Sequence, residues 1–385
     1  MPVVTTVSGV QYSGIWSLSG QANAKALGTW PVQPGPALFS WGRNTAGGLG
    51  LGDTDARSSP TQIGELINWL IVDGGNAFTL AAKTDGTLWS WGNNDIGQLG
   101  LNVPTYFSSP KQVGALTTWL KVSAGNDFAI ATKTDGTLWS WGNNGSGQLG
   151  LGNTTSRSSP VQVGALTTWS NISGGYSHSI ATMTDGTLWC WGTGGSGQLG
   201  LGNSTNYSSP KQVGSLTTWL AVAGGYAFTI ATKTDGTLWA WGRNANGQLG
   251  LGNTTSYSSP KQIGALTTWL NIASGFYAAV ATKAAGTLWT WGKNTSGQLG
   301  LNDLTERSSP VQVGALTAWF KVSAGAANTI ATKTDGTLWS WGYNTQGQLG
   351  LGDTTNRSSP TQVGTLATWL AVASGNYHNL AIKNT

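Results

Sequence analysis

Trp141-Gly-Asn-Asn-Gly-Ser-Gly-Gln148-Leu-Gly-Leu151 is the stretch on which the fold turns. Trp-Gly recurs at 41, 91, 141, 191, 241, 291 and 341, seven times at a spacing of fifty residues without insertion or deletion. Six copies carry Gln at 98, 148, 198, 248, 298 and 348; the first has Gly48 there. A fixed period of this length means one supersecondary unit copied into a ring or a rod.

One copy reads as four strands. Trp119-Leu-Lys-Val-Ser alternates apolar and polar residues and ends at Ala124-Gly125, and Phe128 to Lys133 alternates again. Thr134-Asp135-Gly136-Thr137 is a hairpin turn, because Asp-Gly supplies the positive φ that a tight antiparallel connection needs. Leu138-Trp139-Ser140-Trp141 follows, then a glycine-rich loop from Asn143 to Arg157, then a short strand Pro160-Val-Gln-Val163 opened by its proline. No segment holds a sustained 3.6-residue period, so helix is a poor reading. A four-stranded unit cannot bury both faces alone, whereas seven arranged radially can. Trp89 and Trp91 lie two apart and share a strand face, so these rings and Trp69 are expected to pack blade against blade.

The chain ends support closure. The last copy stops at Thr385, before the strand that should follow its hairpin. That strand is present at the other end, where Ala37-Leu-Phe-Ser-Trp41 matches Thr87-Leu-Trp-Ser-Trp91. The expected fold is an all-β, seven-bladed propeller of four-stranded blades, closed by the N-terminal strand completing the last blade. It spans 36–385, behind a tether or docking segment over 1–35.

Composition narrows the function. Charged residues are 9% of the chain and the formal charge is +5 without a basic run. Phosphate binding needs clustered cations, so no nucleic-acid partner is expected. No apolar run approaches the ~20 residues of a membrane-spanning helix, and the first residues lack signal-peptide regions. The single Cys190 allows no internal disulfide.

These residues resemble the regulator-of-chromosome-condensation repeat family. The shared pattern is Trp-Gly-x-Asn-x-x-Gly-Gln-Leu-Gly-Leu-Gly, then Ser-Ser-Pro, a Val/Ile-x-x-Gly strand and Asp-Gly-Thr-Leu-Trp, over about residues 36–385. The resemblance implies a seven-bladed propeller closed by the chain termini. It also implies several distinct activities. Guanine-nucleotide exchange on a small GTPase uses an inserted wedge, and all seven repeats here have equal length. Chromatin binding uses a basic tail, and residues 1–35 hold one Lys and no Arg. Ultraviolet-B photoreception uses a Trp-Arg pair after the strand glycine; here those places hold Asn76-Ala77, Asn126-Asp127, Tyr176-Ser177, Tyr226-Ala227, Phe276-Tyr277, Ala326-Ala327 and Asn376-Tyr377. The leading segment, with Tyr12, Trp16 and Trp30, resembles a piece of tailed-bacteriophage structural proteins and is the candidate tether.

No catalytic, cofactor or metal constellation emerges. His178 and His378 stand four repeats apart, and the hairpin aspartates are turn formers. Asp53-Thr-Asp55 and Asn302-Asp303…Glu306 have too few carboxylates for Ca²⁺. Departures between repeats carry the remaining signal. One set precedes Ser-Ser-Pro: Arg57, Phe107, Arg157, Tyr207, Tyr257, Arg307 and Arg357, expected in exposed loops as a candidate interface. The others are the triplet at 76–78 with its equivalents, and the series Arg43, Asn93, Asn143, Thr193, Arg243, Lys293, Tyr343. The leading expectation is a non-enzymatic binding and assembly module located on a virion, with other virion proteins or a host-surface glycan as partner. The alternatives are a glycan-binding propeller and a cellular protein–protein adaptor.

Overall fold

The computed structural model describes residues 4–7, 10–13 and 35–384. The chain divides into two units, Met1–Gly35 and Pro36–Thr385. In the first, Val4–Val7 and Val10–Ser13 form an antiparallel ribbon in which Thr5 faces Tyr12; Trp16 and Trp30 lie outside the described residues. Among the described residues no helix is long and apolar enough to cross a membrane.

The second unit is a ring of seven four-stranded antiparallel sheets. Blade 1 runs outward from the axis as Trp69–Gly74, Phe78–Lys83, Leu88–Gly92 and Phe107–Gln112, and blades 2 to 6 repeat it. Blade 7 takes Trp369–Ser374 and His378–Asn384 from the C-terminal end and Pro36–Gly42 and Arg57–Ile67 from the N-terminal end. The closing register pairs Pro36 with Asn384, Trp41 with Asn379 and Gly42 with His378. The closing strand therefore removes a free sheet edge.

Each motif residue has a structural task. The indole Nε1 of Trp141 in blade 2 donates to the Gln98 carbonyl in the loop of blade 1 at 2.9 Å, and Trp41 donates to the Gln348 carbonyl across the closure at 2.9 Å. The acceptor is backbone, which is why Gly48 serves Trp91 as well as a glutamine would. A Cβ on Gly48 would in addition stand 2.9 Å from the Ala77 carbonyl oxygen. Asn144 Oδ1 accepts the Leu149 amide and its Nδ2 donates to the Asn153 and Thr155 carbonyls, so one side chain folds the whole loop. In the hairpin, Asp135 Oδ1 accepts the Thr137 amide and hydroxyl, and Thr137 in turn receives the Trp139 indole. Those bonds to Thr137 hold the Asp135 carboxyl below the usual range.

The core sits between blades. Leu38, Ile63 and Leu380 of blade 7 pack with Trp69, Ala81 and Trp91 of blade 1 in one cluster. Trp69 meets Trp89 and Trp91 edge-on, with centroids 6.2 and 6.0 Å apart, so the three rings share one blade face. Each such ring buries on the order of 150–250 Å².

Candidate functional site

The outer strands differ from the sequence expectation. They begin at Arg57, Phe107, Arg157, Tyr207, Tyr257, Arg307 and Arg357, not at the proline. Gly142 pairs with Arg157 and Ser140 with Val161, so Ser158, Ser159 and Pro160 sit in a bulge where a missing amide costs no ladder bond. These seven residues are thus half-buried strand residues and not free loop side chains. Arg57, Arg307 and Arg357 are held by Asp53, Asp303 and Asp353 at 2.5, 2.6 and 2.6 Å. Lys111, Lys211 and Lys261 lie over the rings of Phe107, Tyr207 and Tyr257. Asp53, weighed for Ca²⁺ in the sequence, is engaged by Arg57, and the described residues contain no cluster of three or more potential metal ligands.

The other two variable positions converge. The innermost strands of all seven blades line one axial channel of about 220 Å³. The turns at its mouth carry the 76–78 triplets, stitched blade to blade by backbone bonds such as Asn76 N to Asn126 O at 2.8 Å and Tyr226 N to Phe276 O at 3.2 Å. The Arg43 series lies beside them: the amides of Arg43, Arg243 and Lys293 donate to the carbonyls of Tyr377, Ala227 and Tyr277.

The mouth is not symmetric. In blades 3 to 5, Tyr176, Tyr226, Phe276 and Tyr277 form a continuous aromatic arc. Tyr176 and Tyr226 are 4.5 Å apart, Tyr226 and Tyr277 5.2 Å, and Tyr226 and Phe276 5.8 Å. Arg243 and Lys293 flank Tyr277 at 5.7 and 5.3 Å. Cations over ring faces at this separation are mutually attractive. On the remaining blades the wall includes amide and acid: Asn376 Nδ2 donates to Asn126 Oδ1 at 2.9 Å, and Asn126 donates to Asp127. Burial raises the Asp127 carboxyl above its usual range, opposed by hydrogen bonds from Asn126 and Asn76.

A half-buried acid lines the channel, and two buried histidines lie behind the mouth. Asp73, which sequence reasoning passed over, stands where other blades carry Ser123, Ser173, Ala223, Ala273, Ser323 and Ala373. Burial pushes its carboxyl up to about 6, although it accepts from the Ala124 amide, the Ser123 hydroxyl and the Gly74 amide. The signal was available as one acid in a series of small residues. His178 and His378 replace the Phe78, Phe128 and Phe228 of other blades, and burial lowers each to about 4. Each Nε2 lies 3.1 Å from a hydroxyl of the next blade, Thr229 and Thr79 respectively. They are inter-blade packing residues on well-separated blades. Cys190 is buried, and that burial pushes its thiol up, away from the reactive thiolate.

The comparisons with known proteins agree with this architecture. The family model described as an RCC1-like domain matches residues 33–271, and the regulator of chromosome condensation (RCC1) repeat matches 285–332 and 335–382. No curated protein matches the chain significantly. Among solved structures, human WBSCR16 superposes with a TM-score of 0.82 at 23% identity, covering 91% of this chain and 99% of that one. Prp20p from Saccharomyces cerevisiae, whose structure was described with its binding to Gsp1p and histones, gives 0.82 at 22% identity over 91% and 92%. Yeast RCC1 (Prp20) bound to Kap60 gives 0.82 at 20% identity over 91% and 89%. At these identities the likeness is one of fold. With its seven repeats matched along nearly their whole length, the chain belongs to the RCC1-like domain family.

Proposed function

We propose that the protein is a non-enzymatic adaptor that holds a protein partner on the face carrying the axial mouth. The observation behind this reading is the aromatic arc Tyr176–Tyr226–Phe276–Tyr277 with Arg243 and Lys293 beside it. At the mouth two variable series meet, and they diverge toward the residue types that dominate interface hot spots. The arc is half-buried, so a partner meets rings that are already ordered and loses little side-chain freedom on docking. Asp127, on blade 2 beside Tyr176, puts an acid at one end of the arc while Arg243 and Lys293 put cations at the other, which fixes the orientation of a partner that is itself charged asymmetrically.

Family membership favours this adaptor reading over the virion assembly module expected from the leading segment. One solved relative, the yeast Prp20 protein, binds protein partners: Gsp1p, histones and Kap60. The chemistry offered by the mouth is recognition. No nucleophile with an adjacent base lies among its described residues.

Affinity capture from the source cells tests the reading. Wild type is compared with Arg243→Glu/Lys293→Glu, which reverses the charge beside Tyr277 and keeps all four aromatic side chains of the arc. A partner enriched by wild type and lost from the variant supports the adaptor, and its identity separates a cellular protein from a virion component. A partner retained equally by both sinks the assignment of this face.

A further inference from the structure

We infer that the rim groove between blades 2 and 3 is a binding site for an acidic sugar residue, a pyranose ring carrying a carboxylate. This site is separate from the axial mouth and does not rest on the adaptor reading.

A groove of one design recurs around the rim, between the outer strand of one blade and the tryptophan pair of the next. In six blades a lysine supplies a cation to the aromatic pair. Lys133, Lys233, Lys283 and Lys333 place Nζ 3.5, 3.7, 3.5 and 4.0 Å from the centroids of Trp139, Trp239, Trp289 and Trp339. Lys83 and Lys383 sit over Trp89 and Phe39 at 5.0 and 5.1 Å. Blade 3 has Met183 instead, packed inward with Trp169 and Trp189. Its groove therefore has a neutral indole wall.

The second departure falls in the same groove. Arg57, Arg307 and Arg357 each neutralise an aspartate four residues earlier. Arg157 faces Asn153 at that place, and the Asn153 Oδ1 is taken by the Thr155 amide. The guanidinium of Arg157 is left with one long bond to the Ser156 carbonyl at 3.3 Å, and among the described residues it makes no ion pair. Arg157, Trp189, Leu166 and Pro210 line one cavity of about 520 Å³, the most spacious of the four grooves.

Two independent substitutions thus converge on one of seven equivalent places. One frees a planar cation, the other removes the competing cation from the aromatic wall. A free guanidinium at a half-buried site is matched by a carboxylate in bidentate geometry. A half-exposed indole with an aliphatic flank is matched by the C–H face of a sugar ring. The volume lies within the range of small-ligand sites. A phosphate chain is disfavoured because the groove holds a single free cation.

Isothermal titration of the full chain with D-glucuronate, D-glucose and acetate tests the site. Glucuronate is expected to bind about tenfold tighter than either glucose or acetate, the difference of one charge-assisted pair or one ring contact. Asn153→Asp rebuilds the ion pair seen in three other blades and should cost the glucuronate preference about tenfold with the fold intact. Arg157→Gln should abolish the preference for glucuronate over glucose, and Arg157→Lys should restore part of it. Equal binding of glucuronate and glucose, equal binding of glucuronate and acetate, unchanged affinity in Asn153→Asp, or no glucuronate binding up to its solubility would each overturn the proposal.

Discussion

Replacing both buried histidines by phenylalanine should make the propeller markedly less sensitive to acid. The space is already shaped for the change. A Cβ built on Gly175 would meet His178 Cε1 at 2.2 Å, and one on Gly125 would meet Phe128 Cε1 at 2.0 Å, so the imidazole and phenyl rings occupy the same position in their blades. His178→Phe gives up the contact with Thr229, whose hydroxyl keeps its bond to the Gln198 carbonyl at 2.9 Å. The sign follows from linkage. A buried imidazole with its pKa lowered from 6.5 to about 4 binds its proton more readily in the unfolded chain, so stability is complete above pH 6.5 and is lost as pH falls toward 4. Each histidine accounts for about 3 kcal/mol of that loss. Asp73 acts in the opposite direction: its carboxyl, raised from 3.8 to about 6, favours the folded chain at low pH and loses that contribution as pH rises through 6. Its share is likewise about 3 kcal/mol, so the wild type should lose roughly 3 kcal/mol net over this window, whereas the double variant, which keeps Asp73, should gain roughly 3 kcal/mol. Urea midpoints followed by tryptophan fluorescence from neutral pH down to the lower bound of that window give the two slopes. Parallel pH profiles for wild type and variant would refute the assignment of acid sensitivity to these rings.

Further outcomes follow from the ring. Deleting residues 1–44 removes the strand that pairs with His378–Asn384 and carries the fully buried Leu38 and Trp41; at roughly 25 cal/mol per Å² this is several kcal/mol, comparable to the margin of a typical domain, and the product should aggregate or lack a cooperative thermal transition. Gly136→Ala should lower stability by about 3 kcal/mol by chemical denaturation, because Gly136 has φ +76° and the new Cβ would stand 2.0 Å from the Thr167 carbonyl oxygen. Asp353→Asn, which breaks a solvent-facing ion pair with Arg357, should change the denaturation midpoint by the equivalent of less than about 1 kcal/mol.

The sequence made the fold readable because its repeat is unbroken: the position of each Trp-Gly pair, the Asp-Gly hairpins and the split seventh blade all carry local, periodic chemistry. The outer strands were misplaced by three residues because proline reads as a strand start, and only the two-residue bulge opposite Trp141 shows why it lies inside. The candidate interface at Arg57 and its equivalents suffered for the same reason. Strand residues facing an aspartate or a lysine cannot be told from loop residues when the register is unknown. The mouth was half-legible. Both of its variable series stood out in the alignment of the seven repeats, but their meeting at one rim depends on backbone bonds such as Arg243 N to Ala227 O, which join positions sixteen residues apart. Asp73 is legible only when the seven repeats are aligned, as the one acid in a series of Ser and Ala.

The most direct test of the account is a hydrogen-exchange footprint of the protein with its captured partner. The adaptor reading predicts slowed exchange in the turns at Tyr176, Tyr226 and Phe276-Tyr277 and in the segment at Arg243, with the hairpins at Asp135-Gly136 and Asp235-Gly236 on the opposite face unchanged. Protection confined to those hairpins, with the mouth exchanging as in the free protein, would contradict it.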